Sequence, residues 1–360
     1  MTYRLMLLVA LAACSPREPR APRWSADDAL ARDVDALVAR SKMSGTILIG
    51  RGETLRYFRS SDAAKFSPGD RWRWASITKQ MTAILVMQEV ARGRIDLAAP
   101  IARYLPAFAS PNAATLTVEQ LLRHQSGLPN PDTGSASVPP LYRLDSGMDA
   151  FAFCAGPVTG PPGGDWSYNN CDYVVAGALL EAVTGQTWST LFAERIARPT
   201  GTHATLSAES DVIGYADGAR EPAYAYLKYG AAGALVGTIT DLWAIDRALL
   251  DGRLLDDKAR ATLWNGRPEL GFMALGQWVY EVPLPGCASP VRLVERRGAI
   301  GGIGVRNFFA PDLGLVVIAM TNRADLEFGE LWSGSGFAFE LLSLAAECTH
   351  RIAPVRLRSD

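Results

Sequence analysis

The chain is poor in histidine and has no excess of either charge: three His in 360 residues, and 36 basic against 37 acidic side chains, leave a formal charge of −1. So weak a net field gives nothing to draw nucleic acid or an anionic membrane surface, which sets polyanion binding aside. No Cys-x-x-Cys and no Cys/His cluster has metal-ligand spacing, so neither a metal nor another cofactor is expected. Gly-x-Ser-x-Gly is absent, which argues against the strand-turn-helix elbow of an α/β-hydrolase. The apolar run near the N-terminus, Leu5 to Ala13, is nine residues long, too short to cross a bilayer. No internal repeat recurs at a fixed period.

What is present is ordinary globular material, 48% hydrophobic and 20% charged, behind an unusual start. Arg4, the short apolar run and its small residues read as an export signal over residues 1–13. Leu11-Ala12-Ala13-Cys14 resembles a bacterial lipobox, which implies lipidation at Cys14. Residues 14–26 then serve as a tether to the cell envelope on its periplasmic side; without lipidation the product is secreted. Cys154, Cys171, Cys287 and Cys348 remain, an even number in an oxidising compartment. Of three possible pairings, Cys154 with Cys171 and Cys287 with Cys348 is preferred because each pair brackets a loop; four buried thiols is the alternative.

Apolar positions Leu30, Val34, Leu37 and Val38 predict a helix over Asp27 to Arg40, and Gly45 to Arg59 reads as two strands turning near Gly50 to Glu53. After Trp74 a helix begins that is apolar nearly all round, hence central and buried. Further helices are predicted over Asp172 to Thr184, stopped by Gly185, and over Thr238 to Leu250. Strands follow over Leu275 to Val282, Arg292 to Arg296, Val305 to Ala310 and Leu315 to Thr321, then a helix over Phe337 to Ala346. The expected fold is α+β: an antiparallel sheet from the N- and C-terminal parts, about 27–75 and 271–350, flanked by helices, with a helical part inserted at about 76–270.

The chemistry concentrates at Ser76-Ile77-Thr78-Lys79, a hydroxyl and an amine three residues apart at the start of the buried helix. That spacing puts both on one face, so Lys79 can reach the Ser76 hydroxyl. A serine is a weak nucleophile until a neighbour takes its proton, and a desolvated lysine can take it because burial disfavours the charged amine. Arg71-Trp72-Arg73-Trp74-Ala75 before the pair and Met81 to Val90 after it make a setting where an idle lysine would be costly.

These residues resemble the active-site helix of class C β-lactamases, DD-carboxypeptidases and family VIII esterases, which share the β-lactamase/transpeptidase-like fold. Ala91-Arg92-Gly93-Arg94-Ile95-Asp96-Leu97, Tyr104-Leu105-Pro106 and Leu121-Leu122-Arg123-His124-Gln125-Ser126-Gly127-Leu128 are similar to that family's following segments. Trp166-Ser167-Tyr168-Asn169-Asn170 resembles its Tyr-x-Asn motif. The resemblance covers roughly residues 30 to 347 and implies that Ser76 is acylated, that Lys79 holds the Tyr168 phenol near ionisation, and that Tyr168 carries the proton to the leaving group. It also implies that Asn170 binds Lys79 and a substrate amide, and that the backbone N–H groups of Ser76 and Ala299 form the oxyanion hole.

The third motif departs from the family's Lys-Thr-Gly or His-x-Gly. Here it reads Arg296-Arg297-Gly298-Ala299, keeping Gly298 and placing a fixed cation first. Arg296 is expected to hold a substrate carboxylate, and Arg297 to be a solvated strand residue. Of the histidines, His124 is expected to be structural and none of His124, His203 and His350 to be a general base. Asp241, Asp246, Trp243 and Trp278 are assigned to capping and core. The resemblance implies acyl transfer through Ser76 on a β-lactam, a D-alanyl peptide or a small ester; the alternative is an inactive relative that binds a peptide or protein partner in the same cleft. The expected partner is a small-molecule or peptide substrate, and the oligomeric state is left open.

Overall fold

A computed structural model describes residues 23–25, 27–62, 64–133 and 138–348. The expected signal segment 1–13, Cys14 and His350 lie outside the described residues. Part of the expected tether is ordered: Arg23–Trp24 pairs in parallel with Thr54 and Leu55 at a sheet edge, so the fold begins before Asp27.

Helix α1 (Asp28–Arg40) is capped by the Asp27 carboxylate, which accepts from the N–H groups of Ala29 and Leu30. Strands β1 (Gly45–Arg51) and β2 (Thr54–Ser60) form the hairpin read from the sequence. Helices α2 (Thr78–Ala91), α3 (Asn170–Thr184) and α4 (Ile239–Leu250) belong to the middle of the chain. Strands β3 (Trp278–Val282), β4 (Val291–Ile300), β5 (Ile303–Ala310) and β6 (Leu315–Thr321) follow, then α5 (Phe337–Ala346). The sheet runs Arg23–Trp24, β2, β1, β6, β5, β4, β3, antiparallel except at the first edge. The two chain ends thus meet at the β1–β6 pairing.

Strand β6 is buried at every residue because both sheet faces are covered. Alternate strand residues point to opposite faces. Leu315, Val317 and Ala319 pack with residues of α1 and α5, while Val316, Ile318 and Met320 pack with those of α2 and α4. Helix α2 lies at the centre of the second cluster, with every residue from Thr78 to Glu89 buried. Both anticipated disulfides form, Cys154–Cys171 and Cys287–Cys348. Among the described residues no helix is long and apolar enough to cross a membrane.

Strand β5 starts two residues earlier than expected, at Ile303, and strands β3 and β4 also differ from their sequence-based bounds. Strand β3 starts at Trp278 because Gly276 takes a positive φ and Ala274 N–H turns back to the Gln277 carbonyl at 2.7 Å. Strand β4 runs on to Ile300, past Glu295 where its pairing with β3 stops. Residues 296–300 therefore border the sheet edge that faces the start of α2.

Candidate active site

Ser76 sits in a 3-10 turn, Ala75–Ile77, that leads into α2. Ala75 holds a left-handed φ of 47°, a strained conformation for a residue with a side chain. The surroundings impose it. Trp74 N–H donates to the Leu235 carbonyl at 2.9 Å, Ala75 N–H to the Tyr226 hydroxyl at 3.2 Å, and the Thr78 hydroxyl to the Ala75 carbonyl at 2.7 Å. Strand β4 closes the other side, and it approaches so tightly that a Cβ at Gly298 would lie 2.3 Å from the Trp74 carbonyl oxygen. The retained glycine is what lets the strand reach the turn.

Lys79 is completely buried and lies within hydrogen-bond distance of three oxygens: Ser76 Oγ at 3.1 Å, Asn170 Oδ1 at 2.5 Å and the Ala232 carbonyl at 2.7 Å; as a neutral amine it donates to the last two and can accept from the serine. Burial pushes the amine well below the usual lysine range, and the Arg296 charge adds to this, against opposing pulls from Asp132 and Asp172. A neutral amine one helical turn from the serine can accept its proton. On its other side, Ser76 Oγ shares a short hydrogen bond with the Tyr168 hydroxyl. Ser76, Lys79, Tyr168 and Asn170 are thus brought together in one cluster.

The electrostatics of Tyr168 differ from the expectation. Burial raises its pKa, and the cation that favours its phenolate is Arg296, not Lys79. The phenol therefore rests protonated, a donor rather than the primary base. Lys79 is the group whose neutral form the site favours.

Arg296, expected to hold a substrate carboxylate, has contacts within the site itself. It is fully buried, donates Nε–H to the Ser76 carbonyl at 2.8 Å and Nη2–H to the Tyr168 hydroxyl at 3.3 Å, and stacks 5.3 Å from the Trp278 ring. Its Nε and Nη2 serve the nucleophile turn and the tyrosine, while Nη1 is buried without a hydrogen-bond partner among the described residues. Arg297 is not a solvated strand residue: it pairs with Glu330 at 2.6 and 2.8 Å and with Glu295 at 2.5 Å, under Trp332. Trp278, assigned to the core, is half-buried on the wall of the site.

The histidine assignment agrees with the geometry. His124 is fully buried behind the site, its Nδ1 2.7 Å from Asp172 and its ring 4.8 Å from that of Tyr168. Burial keeps it neutral at physiological pH and keeps Asp172 protonated well above the usual carboxylate range. Asp241 closes a capping box with Thr238 at the start of α4, while Asp246 is a buried acceptor for the Gln80 amide at 2.5 Å. His203 is remote from the cluster, its backbone N–H bound to Asp241.

A cavity of about 350 Å³ opens over Ser76, lined by Tyr168, Asn170 and Ala299 among others. Three of its wall residues carry no sequence signal: Asp132, Tyr224 and Tyr229. Asp132 stands in an irregular stretch just after Pro129, and a lone acid there has no periodicity or partner spacing to mark it. Its carboxylate accepts from the Asn170 amide, and the loop is fastened by Asn130, whose amide donates to the Tyr168 carbonyl at 2.9 Å.

The model of the Beta-lactamase family matches residues 30–332. Esterase EstB of Burkholderia gladioli is 30% identical over 211 residues, 52% of this chain and 54% of that one. The putative penicillin-binding protein PbpX of Bacillus subtilis (strain 168) is 24% identical over 284 residues, 76% of this chain and 66% of that one. The matches thus span less than two thirds of either relative. Among solved structures, the D-amino acid amidase from Ochrobactrum anthropi SV3 complexed with D-phenylalanine shares the fold, with a TM-score of 0.72 at 24% identity over 90% of this chain and 99% of that one. Since the family model spans most of the chain and the solved neighbour repeats its fold from end to end, this chain belongs to the Beta-lactamase family.

Proposed function

We propose that this chain is a serine hydrolase that cleaves an amide or ester through an acyl-enzyme on Ser76. The observation that carries this is the buried, charge-disfavoured Lys79 amine 3.1 Å from Ser76 Oγ, with the Tyr168 hydroxyl on the opposite side of the same oxygen. Lys79 takes the serine proton as Oγ bonds to the carbonyl carbon. The oxyanion is stabilised by the backbone N–H groups of Ser76, at the helix start, and of Ala299, on the strand edge. Tyr168 gives its proton to the departing nitrogen or oxygen, and Arg296 offsets the phenolate charge that this leaves. Water, deprotonated by the same groups, then hydrolyses the acyl-enzyme and restores Ser76.

A β-lactam, a D-alanyl peptide and a small ester are the substrate classes this machinery serves, in keeping with relatives described as an esterase and a penicillin-binding protein. The altered third motif, which was the ground for a binding-only reading, is integrated into the site through Ser76 and Tyr168. Intact-mass spectrometry of the protein with a penicillin and with p-nitrophenyl acetate tests the proposal. A covalent adduct or turnover that Ser76→Ala abolishes supports it, and adduct-free, turnover-free behaviour with both reagents rejects it.

We also propose export, with lipidation at Cys14 anchoring the enzyme on the periplasmic side of the cell envelope. The lipobox-like Leu11-Ala12-Ala13-Cys14 supports this, as do the two disulfides, which persist in oxidising compartments. Metabolic labelling with an alkyne fatty acid, lost in Cys14→Ser, is the test.

A further inference from the structure

Within the catalytic cavity Asp132 is the one carboxylate on the wall among the described residues, and the acyl-transfer steps make no use of it. It is a liability for them. Its negative charge favours the protonated form of Lys79, opposing the neutral amine that the reaction requires. Its own carboxyl is pushed above the usual range by the protein around it, so the charge is held there at a cost. Among the described residues only Oδ2 is engaged, by the Asn170 amide. Asn170 in turn is bonded to Lys79, so the carboxylate lies one amide group beyond the base.

The walls next to Asp132 are aromatic. Tyr229 and Tyr224 line the same cavity, and the charge of Asp132 is felt at Tyr229, Tyr142 and Tyr168. Tyr142 and Tyr229 stack with ring centres 3.6 Å apart, which makes that wall rigid. A carboxylate beside tyrosine rings is the chemistry that recognises an organic ammonium, by ion pairing and by attraction to the ring faces. Of the two cationic side chains that line the cavity, Arg297 is paired with Glu295 and Glu330, and Arg296 gives Nε–H to the Ser76 carbonyl and Nη2–H to the Tyr168 hydroxyl, its Nη1 being buried without a hydrogen-bond partner among the described residues. At the Asp132 wall an ammonium-bearing substrate meets an anion with one oxygen unbonded among the described residues.

We infer that Asp132 binds the free α-ammonium of the substrate, so that the preferred substrates are amides of unblocked amino acids or peptides with a free N-terminal residue at the scissile bond. The inference rests on the acyl-enzyme reading and narrows its substrate class. A bound ammonium neutralises Asp132 and relieves its hold on the Lys79 proton, so that the correct substrate readies the base. For an amino acid amide, the Ser76 Oγ–carbon bond forms, the carbon–nitrogen bond breaks, ammonia leaves with the proton passed through Tyr168, and water releases the free amino acid. A cavity of about 350 Å³ suits so small a substrate.

The test compares kcat/KM for phenylalanine amide, in both enantiomers, with that for N-acetyl-phenylalanine amide, using the full chain, Asp132→Asn and Asp132→Glu. The expected result is a preference of at least about 30-fold for the free amine in the wild type. That ratio collapses to within about threefold in Asp132→Asn, mainly through KM, and is partly kept in Asp132→Glu. A wild-type ratio near one overturns the inference, as does an Asp132→Asn variant that slows both amides equally and keeps the ratio. p-Nitrophenyl acetate is assayed alongside: Ser76-dependent ester turnover without an amine preference removes this inference and leaves the acyl-enzyme standing. Loss of ester and amide turnover together removes both.

Discussion

Arg296 and Ser76 are joined through the backbone: the guanidinium Nε–H donates to the Ser76 carbonyl at 2.8 Å, while Nη2–H of the same fork reaches the Tyr168 hydroxyl at 3.3 Å. A cation at this position therefore holds the nucleophile turn and biases the tyrosine toward ionisation. Arginine does both from one planar group, which a lysine ammonium or a neutral imidazole does not.

Arg296→Ala is accordingly expected to lower kcat by about 100-fold on neutral esters and carboxylate-bearing substrates alike. Arg296→Lys should recover part of the loss, since it restores the charge but not both contacts. Steady-state kinetics on p-nitrophenyl acetate and a penicillin decide the matter. A loss confined to the penicillin would return Arg296 to the role of a carboxylate clamp.

The sequence made the framework legible because periodicity reports burial. Phe337–Ala346 was readable to the residue, and β6 showed as an apolar run because both its faces are covered. Ser76 and Lys79 could be picked out because their chemistry needs a fixed spacing on one helix, and Tyr168 because its segment resembles the family's Tyr-x-Asn motif. The direction of the Arg296 fork could not, because it depends on the end of the β3–β4 pairing at Glu295, a tertiary fact. Asp132 was hidden for a similar reason: an isolated acid in a Pro- and Asn-containing loop gains meaning only when Asn130 ties that loop to Tyr168.

Lys79 sets a pH signature with a definite sign. Its folded pKa lies well below the ordinary lysine value, so kcat/KM should rise with pH as the amine loses its proton, with a midpoint well below that ordinary value. The same shift acts on stability. Between the depressed folded pKa and the unfolded value near 10.4, the unfolded chain binds the extra proton, so this group's contribution improves as pH rises and worsens as pH falls. Lys79→Met should abolish turnover, and its Tm relative to wild type should decline steadily from neutral pH toward pH 10. A parallel offset across that range would show that Lys79 is charged in the fold.

Gly298 is predicted to tolerate no side chain. A Cβ there would lie 2.3 Å from the Trp74 carbonyl oxygen and 3.4 Å from the Ile77 backbone nitrogen, both parts of the turn that carries Ser76, with the Ile77 Cγ1 at 3.1 Å. Neither backbone can yield without moving the other. Gly298→Ala should cost about 1–3 kcal/mol in urea unfolding, with kcat down at least about tenfold as the strand edge bearing Ala299 withdraws from Ser76. Unchanged kcat with reduced stability would separate the glycine from the oxyanion site.

The Cys154–Cys171 disulfide closes a segment that contains Tyr168 and Asn170, two of the groups that act on Ser76, and it does so in the first turn of α3 beside Asn170 itself. Its sequence separation of 17 residues implies a stabilisation of about 3 kcal/mol from restriction of the unfolded chain. In the folded state, Asn169 also secures this turn: its side chain accepts from Cys171 N–H at 2.9 Å and donates to the Leu128 carbonyl at 2.9 Å. The bond's contribution should therefore fall mostly on the unfolded chain and only lightly on the geometry of the site. Replacing both cysteines with serine is expected to lower the unfolding free energy by about 3 kcal/mol while kcat at 25 °C stays within about fivefold of wild type. Should kcat collapse while the folded state remains fully populated, the disulfide rather than Asn169 would be what positions Tyr168 and Asn170.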